Sequence, residues 1–166
     1  MKKQLLFIAC ALALASSAVA QTKISGSLDC ANGDPRYAIP VPDRQGFAFV
    51  IDQNKCTWPK HTPVEGLQPK DLVNTRSIEV TGTTARTVAA GVTRYDNGDT
   101  LFTRSTGTTD VKALTASGKW TVISGTGKLL GIKGGGTYTC NMKSAEPGAG
   151  YTCDIEGEYT VAAAKK

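Results

Sequence analysis

The sequence predicts an all-β protein, an antiparallel closed or nearly closed barrel of about eight strands with two disulfides, and three observations carry the expectation. The 166 residues include 21 Thr and 18 Gly, with no Thr before Thr22, a composition that suits short strands and turns better than helix bundles. Alternating apolar and polar residues recur in segments separated by Gly-, Pro- and Asn-rich turns, and no long helical pattern follows the first twenty residues. Cys30, Cys56, Cys140 and Cys153 form an even set beyond that point. An antiparallel sheet of this size removes its exposed edges by closing on itself. The length fits one domain with a real core.

The first twenty residues read as an address. Lys2 and Lys3 precede an apolar run from Leu5 to Ala15, and Ala18-Val19-Ala20 supplies a small-x-small cleavage pattern, so residues 1–20 are expected to be a secretory signal peptide cleaved after Ala20. Ser16 and Ser17 end the run well short of a membrane span. Residues 21–166 are then one β-barrel domain, expected in the periplasm or the medium, with no membrane span of its own. Cleavage lowers the formal charge from +5 to +3, and Cys10 leaves with the leader. No Arg and Lys run interleaved with aromatics is present, so nucleic acid is not an expected partner.

An exported chain with four cysteines is expected to pair them. Thr137 to Met142 and Tyr151 to Val161 alternate around the turn-rich segment Glu146-Pro147-Gly148-Ala149-Gly150. Pairing residues whose numbers sum to 293 sets Tyr138 opposite Ile155, Cys140 opposite Cys153 and Met142 opposite Tyr151, which places both thiols on one apolar face. Cys140–Cys153 follows, and Cys30–Cys56 by elimination. No CxxC pair and only the single His61 are present, so neither a metal nor a cofactor is expected.

Elsewhere Thr22 to Cys30 alternates as a first strand, and a loop held extended by Pro40 and Pro42 follows. Phe47 to Ile51 is a continuous apolar run suited to a strand buried on both faces. Pro59 to Lys70, with three prolines, reads as irregular, and Ser77 to Thr81 alternates with Ile78 and Val80 on one side. Asn97-Gly98 marks a hairpin between Val88–Tyr95 and Thr100–Thr106, for which a sum of 195 pairs Arg94 with Leu101 and Thr93 with Phe102. Ser117 to Ile123 carries Trp120.

Gly125-Thr126-Gly127-Lys128 fails the phosphate-loop pattern, because Val122 and Leu129 occupy the positions that need Gly and Ser or Thr. The dinucleotide fingerprint fails as well, its third glycine falling at Gly131. The glycines are expected to serve a tight strand-to-turn passage, with Leu129 and Ile132 plugging the sheet end.

The segment Ser124-Gly-Thr-Gly-Lys-Leu-Leu-Gly-Ile-Lys-Gly134, with Trp120 before it and Gly136-Thr137-Tyr138 and Glu156-Gly-Glu-Tyr159 after it, resembles the C-terminal signature of bacterial exported proteins with an allene oxide cyclase-like, calycin-type barrel. These are related in shape to the plant dirigent proteins. Cys56-Thr57-Trp58 is similar to an element of the same set, and the likeness is better in the second half of the chain. The resemblance implies an eight-stranded barrel with an apolar lumen and, from the plant relatives, homo-oligomers that bind or cyclise hydrophobic intermediates. No catalytic residues carry over by a matching motif.

The residues themselves assemble no nucleophile. His61 lies among prolines in an expected loop, every cysteine beyond the leader is paired, and Glu156 and Glu158 share a polar outer face. The candidate ligand-binding residues are Phe47, Phe49, Phe102, Trp120 and Tyr138 as lumen lining, with Glu79, Arg94 and Arg104 as polar groups inside it. The functional expectation is an exported barrel that binds a small apolar molecule. The alternatives are a cyclase- or isomerase-like enzyme acting on a hydrophobic intermediate, and a structural or protein-binding barrel with a filled lumen.

Overall fold

A computed structural model describes residues 21–144 and 149–162. The proposed leader, residues 1–20, and most of the expected turn segment 146–150 lie outside the described residues. The described residues form nine strands: β1 (Thr22–Cys30), β2 (Arg36–Pro40), β3 (Phe47–His61), β4 (Pro69–Thr81), β5 (Thr84–Tyr95), β6 (Thr100–Asp110), β7 (Thr115–Gly125), β8 (Lys133–Met142) and β9 (Tyr151–Thr160). The only helical element among the described residues is a 3₁₀ turn at Gly127–Leu129.

All pairings are antiparallel, in the order β1-β9-β8-β7-β6-β5-β4-β3-β2, and a further β1–β3 pairing closes the barrel. All strands except β2 form the closed wall. The fifteen-residue β3 makes closure possible, because its C-terminal part pairs with β1 while its N-terminal part pairs with β2. The chain between β1 and β2 thus interrupts one continuous edge of β3. Pro59 falls where the β1–β3 register shifts, between the Ser27 and Asp29 pairings, a bulge position that tolerates the missing N–H.

Both disulfides join residues directly opposite each other. Cys140 faces Cys153 in the 293 register, and Cys30 faces Cys56 across the closing seam. With Leu28 and Leu72 they form one buried cluster. A second cluster closes one end of the barrel: Leu129, fully buried, packs with Ile132, Val64, Leu67, Tyr95, Leu101 and Tyr159. The glycine-dense segment therefore does plug the sheet end.

Several expectations need correction. Arg36–Pro40 is a strand rather than a loop, and Pro59 to His61 continues β3, leaving only 62–68 irregular. The Phe47–Ile51 run is not buried on both faces, since Phe49 is 53% and Ile51 57% exposed. They pair with exposed Ile39 and Tyr37 on an outer face that none of the described residues covers. The Asn97-Gly98 hairpin pairs on a sum of 194, Arg94 with Thr100 and Thr93 with Leu101. Tyr95 already bonds Asp99 through its N–H, so the turn holds three residues, with Gly98 at positive φ. A one-residue slip moves every side chain of a strand to the other face.

Removing the hairpin disulfide, whose cysteines are 13 apart in sequence, relieves the unfolded chain of a loop constraint of about 3 kcal/mol. The double variant Cys140→Ala/Cys153→Ala is expected to lose that much in urea unfolding while keeping the barrel by circular dichroism. An unchanged midpoint would contradict it.

Candidate functional site: the barrel lumen

Inward positions follow from parity. In β3 the even residues Val50, Asp52, Asn54 and Cys56 are buried, in β4 Leu72, Asn74 and Arg76 share that side, and in β5 and β6 the odd residues face in. Inward side chains from around the wall enclose a chamber of about 160 Å³. Its wall is mainly apolar, with Leu28, Leu72, Ala89, Ala116, Tyr138, Ile155 and both indole rings, while Ile24, Tyr95 and Leu101 connect it to the plug. Thr87, Thr103, Ser105 and Thr109 place hydroxyls along one side.

Glycines create the room for the large rings. Gly107 and Gly118 are register partners, and a Cβ on either would collide with the Tyr138 ring or hydroxyl, so the phenol lies across this bare stretch of β6 and β7. The Trp120 ring lies in the same way against Gly157. Small residues at these positions let two aromatics fold along the wall and leave the chamber open.

The polar end of the chamber is built by register. Arg36, Asp52 and Arg76 are consecutive cross-strand partners on β2, β3 and β4 and so point the same way. The Asp52 side chain has no exposure and accepts a bidentate pair from Arg76, Nε to Oδ1 at 2.7 Å and Nη2 to Oδ2 at 2.8 Å. Arg36 Nη1 adds a third bond at 2.9 Å. Arg76 Nη1 also donates to the Tyr151 hydroxyl at 3.2 Å, and Asn54 Nδ2 donates to the same oxygen at 2.6 Å. The Arg76 guanidinium sits 5.4 Å from the Tyr151 ring centroid. Arg76 and Tyr151 line the chamber, whereas Asp52 and Arg36 do not.

Burial works against the Arg76 charge, but the Asp52 hydrogen bonds and the nearby Tyr151 and Asp52 outweigh it and hold its pKa above the ordinary arginine value. Burial raises Tyr151, with Arg76 and Asn54 partly offsetting it. Tyr138 is raised by burial and by neighbouring Tyr151, against a smaller lowering from Arg76. Burial, helped by Tyr159, raises Tyr95. These phenols are neutral donors at neutral pH.

Of the eight residues expected at the site, Trp120 and Tyr138 line the chamber. Phe47 sits half-buried at the start of β3 with the Arg44 guanidinium 5.5 Å from its ring. Phe49, Glu79, Arg94, Phe102 and Arg104 are exposed on the outer face. The 194 register explains Arg94, Phe102 and Arg104, and the inward side of β4 that Arg76 occupies excludes Glu79. Arg94 instead forms an outer ion pair with Asp71 at 2.8 Å. His61 ends β3 and hydrogen-bonds Gln68.

Sequence reasoning missed Asp52, Asn54, Arg76 and Tyr151 as a set. A signal existed. Cys56 had to face inward to meet Cys30, and stepping back by two reaches Asn54 and Asp52; stepping back from Val80 and Ile78 reaches Arg76. Among the described residues no group of His, Cys, Asp and Glu could hold a metal ion, and no helix is long and apolar enough to cross a membrane.

The closed antiparallel barrel has the fold of solved dirigent proteins. The structure of the pterocarpan synthase dirigent protein GePTS1 superposes with a TM-score of 0.50, covering 88% of this chain and 90% of that one at 10% identity. The pterocarpan synthase dirigent protein PsPTS1 gives a TM-score of 0.44, covering 86% and 96% at 11% identity. No family model and no curated protein matches the sequence. What is shared with GePTS1 is the fold.

Two outcomes follow from the site. Asp52→Ala leaves two arginines without their buried counter-ion, and a loss of about 3 kcal/mol is expected in urea unfolding; a change within 0.5 kcal/mol, roughly the effect of an ordinary surface substitution, would refute the arrangement. Tyr95, Tyr138 and Tyr151 have folded pKa values above the unfolded value of about 10. Above that pH the unfolded chain releases protons that the folded one retains, so the stability they contribute is complete below about pH 10 and falls as pH rises beyond it. Urea midpoints compared at pH 8 and pH 11 check this, with phenolate absorbance recorded alongside.

Proposed function

We propose that this protein is an exported, dirigent-like barrel that holds a small, mainly apolar molecule in its lumen. The observation that carries the reading is the open chamber of about 160 Å³ inside a barrel plugged at one end. A cavity on the order of 150 Å³ accommodates a single ring, well below the several hundred Å³ that enclose drug-sized ligands, so the occupant is small. Export is supported by the leader-like residues 1–20 and by the two disulfides, with the periplasm or the medium as destination. Self-association is part of the reading, supported by the outer face where Tyr37, Ile39, Phe49 and Ile51 are exposed among the described residues.

A second reading, a dirigent-like isomerase or cyclase, is favoured by one feature, the Arg76–Tyr151 pole beside apolar walls. Donors fixed at one end of a shaped chamber can stabilise charge developing on a reacting oxygen while the walls hold the rest of the molecule. The name of GePTS1 as a pterocarpan synthase dirigent protein is in keeping with such a role.

Native mass spectrometry of the protein recovered from its own periplasm or medium tests the main reading. The expected species begins at Gln21, carries a small co-purifying molecule and has an oligomeric mass. A bare chain that also shows no thermal shift with single-ring apolar compounds would remove the binding function, and a chain retaining Met1 would remove export.

A further inference from the structure

The lumen's polar pole has a specific chemical character. Viewed from the chamber, the Asp52 carboxylate is hidden behind Arg76, so the groups presented are the Arg76 guanidinium and the Tyr151 hydroxyl. A guanidinium has five N–H donors and no acceptor. Three of the five are committed, two to Asp52 and one to Tyr151. The Tyr151 oxygen in turn receives two donors, from Arg76 and Asn54, which occupies its acceptor capacity and leaves its own O–H to donate. The Arg76–Tyr151 pair itself offers hydrogens and accepts none, while beside it stand the side-chain carbonyls of Asn74, which lines the chamber, and of Asn54, whose buried Oδ1 has no partner.

Its charge is also unbalanced. Arg36 and Arg76 both bond the single carboxylate of Asp52, so the cluster holds one positive charge in excess. The Arg76 side chain is only 15% exposed, where solvent screens weakly. A ligand bearing one carboxylate would bring two arginines and two carboxylates into balance and satisfy the free N–H and O–H donors with charge-assisted bonds. A neutral hydrocarbon would leave those donors unmet and the excess positive charge uncompensated.

The geometry points to a small monocarboxylate with an apolar, single-ring-sized body as the ligand of the lumen, its carboxylate on Arg76 and Tyr151 and its ring among Leu72, Ala116 and Tyr138. The inference rests on the proposed binding function and names the class of molecule bound. Isothermal titration with three planar probes of equal non-hydrogen atom count, benzoate, acetophenone and α-methylstyrene, separates the two. Benzoate is expected to bind tightest, about tenfold or more above α-methylstyrene. Tyr151→Phe is expected to cut that preference severalfold, and Arg76→Met to abolish it, with α-methylstyrene binding retained in Tyr151→Phe. Equal binding of benzoate and α-methylstyrene, acetophenone matching or exceeding benzoate, or a preference unchanged in Tyr151→Phe would each overturn the carboxylate assignment while leaving the lumen as a binding site. Failure of all three probes to bind would remove the binding function and this inference together.

Discussion

The seam between β1 and β3 is the contact on which the rest of the structure depends. An eight-strand wall open along this line would expose two edges and flood its interior, and the chamber would cease to exist. Here the seam is held by backbone pairing and by a covalent bond, because Cys30 and Cys56 fall directly opposite each other. That placement sets the inward parity of β3. Once Cys56 faces the lumen, Asn54 and Asp52 must follow it, and their register partners Asn74 and Arg76 on β4 are carried in with them. A polar pole inside an apolar barrel is thus a consequence of where the closure is locked.

A buried carboxylate is costly unless it is paired and fully hydrogen-bonded. Asp52 meets both conditions through three N–H donors from two arginines, and its neighbours extend the network to Tyr151 on β9, just across the seam. The network spans β2, β3, β4 and β9, so it ties the strands on either side of the seam together above the disulfide. Two ends of the lumen are therefore maintained by different physics. One is closed by close-packed side chains centred on Leu129, the other is held by directional hydrogen bonds that leave donors facing the interior. The glycine pair Gly107–Gly118 completes the division by letting Tyr138 lie flat along the wall between them.

The fold was legible in the sequence because its signals are local. Strand alternation, Thr and Gly enrichment and the turn around residues 146–150 each act over a few residues, and the 293 register needed only two apolar faces and two thiols to agree. The candidate site was less legible. Trp120 and Tyr138 stood out as large aromatics in alternating segments, and both reached the lumen. Phe49, Phe102, Glu79, Arg94 and Arg104 stood out in the same way and went to the outer face, since period-two alternation identifies two faces without saying which is inside. The three-residue turn at Asp96–Gly98 set which residues of β5 and β6 share a face, and barrel closure set which of the two faces is inside.

What the sequence by itself determined is the class of the protein: an all-β chain with two cross-strand disulfides, a glycine-rich end plug and a hairpin register, all set by interactions between near neighbours or by the pairing of four thiols. The tertiary structure alone decided that β3 is shared between β1 and β2, and that a carboxylate at residue 52, a guanidinium at 76 and a phenol at 151 meet at one end of a lumen. Those three groups are far apart along the chain, and each is unremarkable where it stands. Only barrel closure, which converts sequence distance into register across the wall, makes them one site.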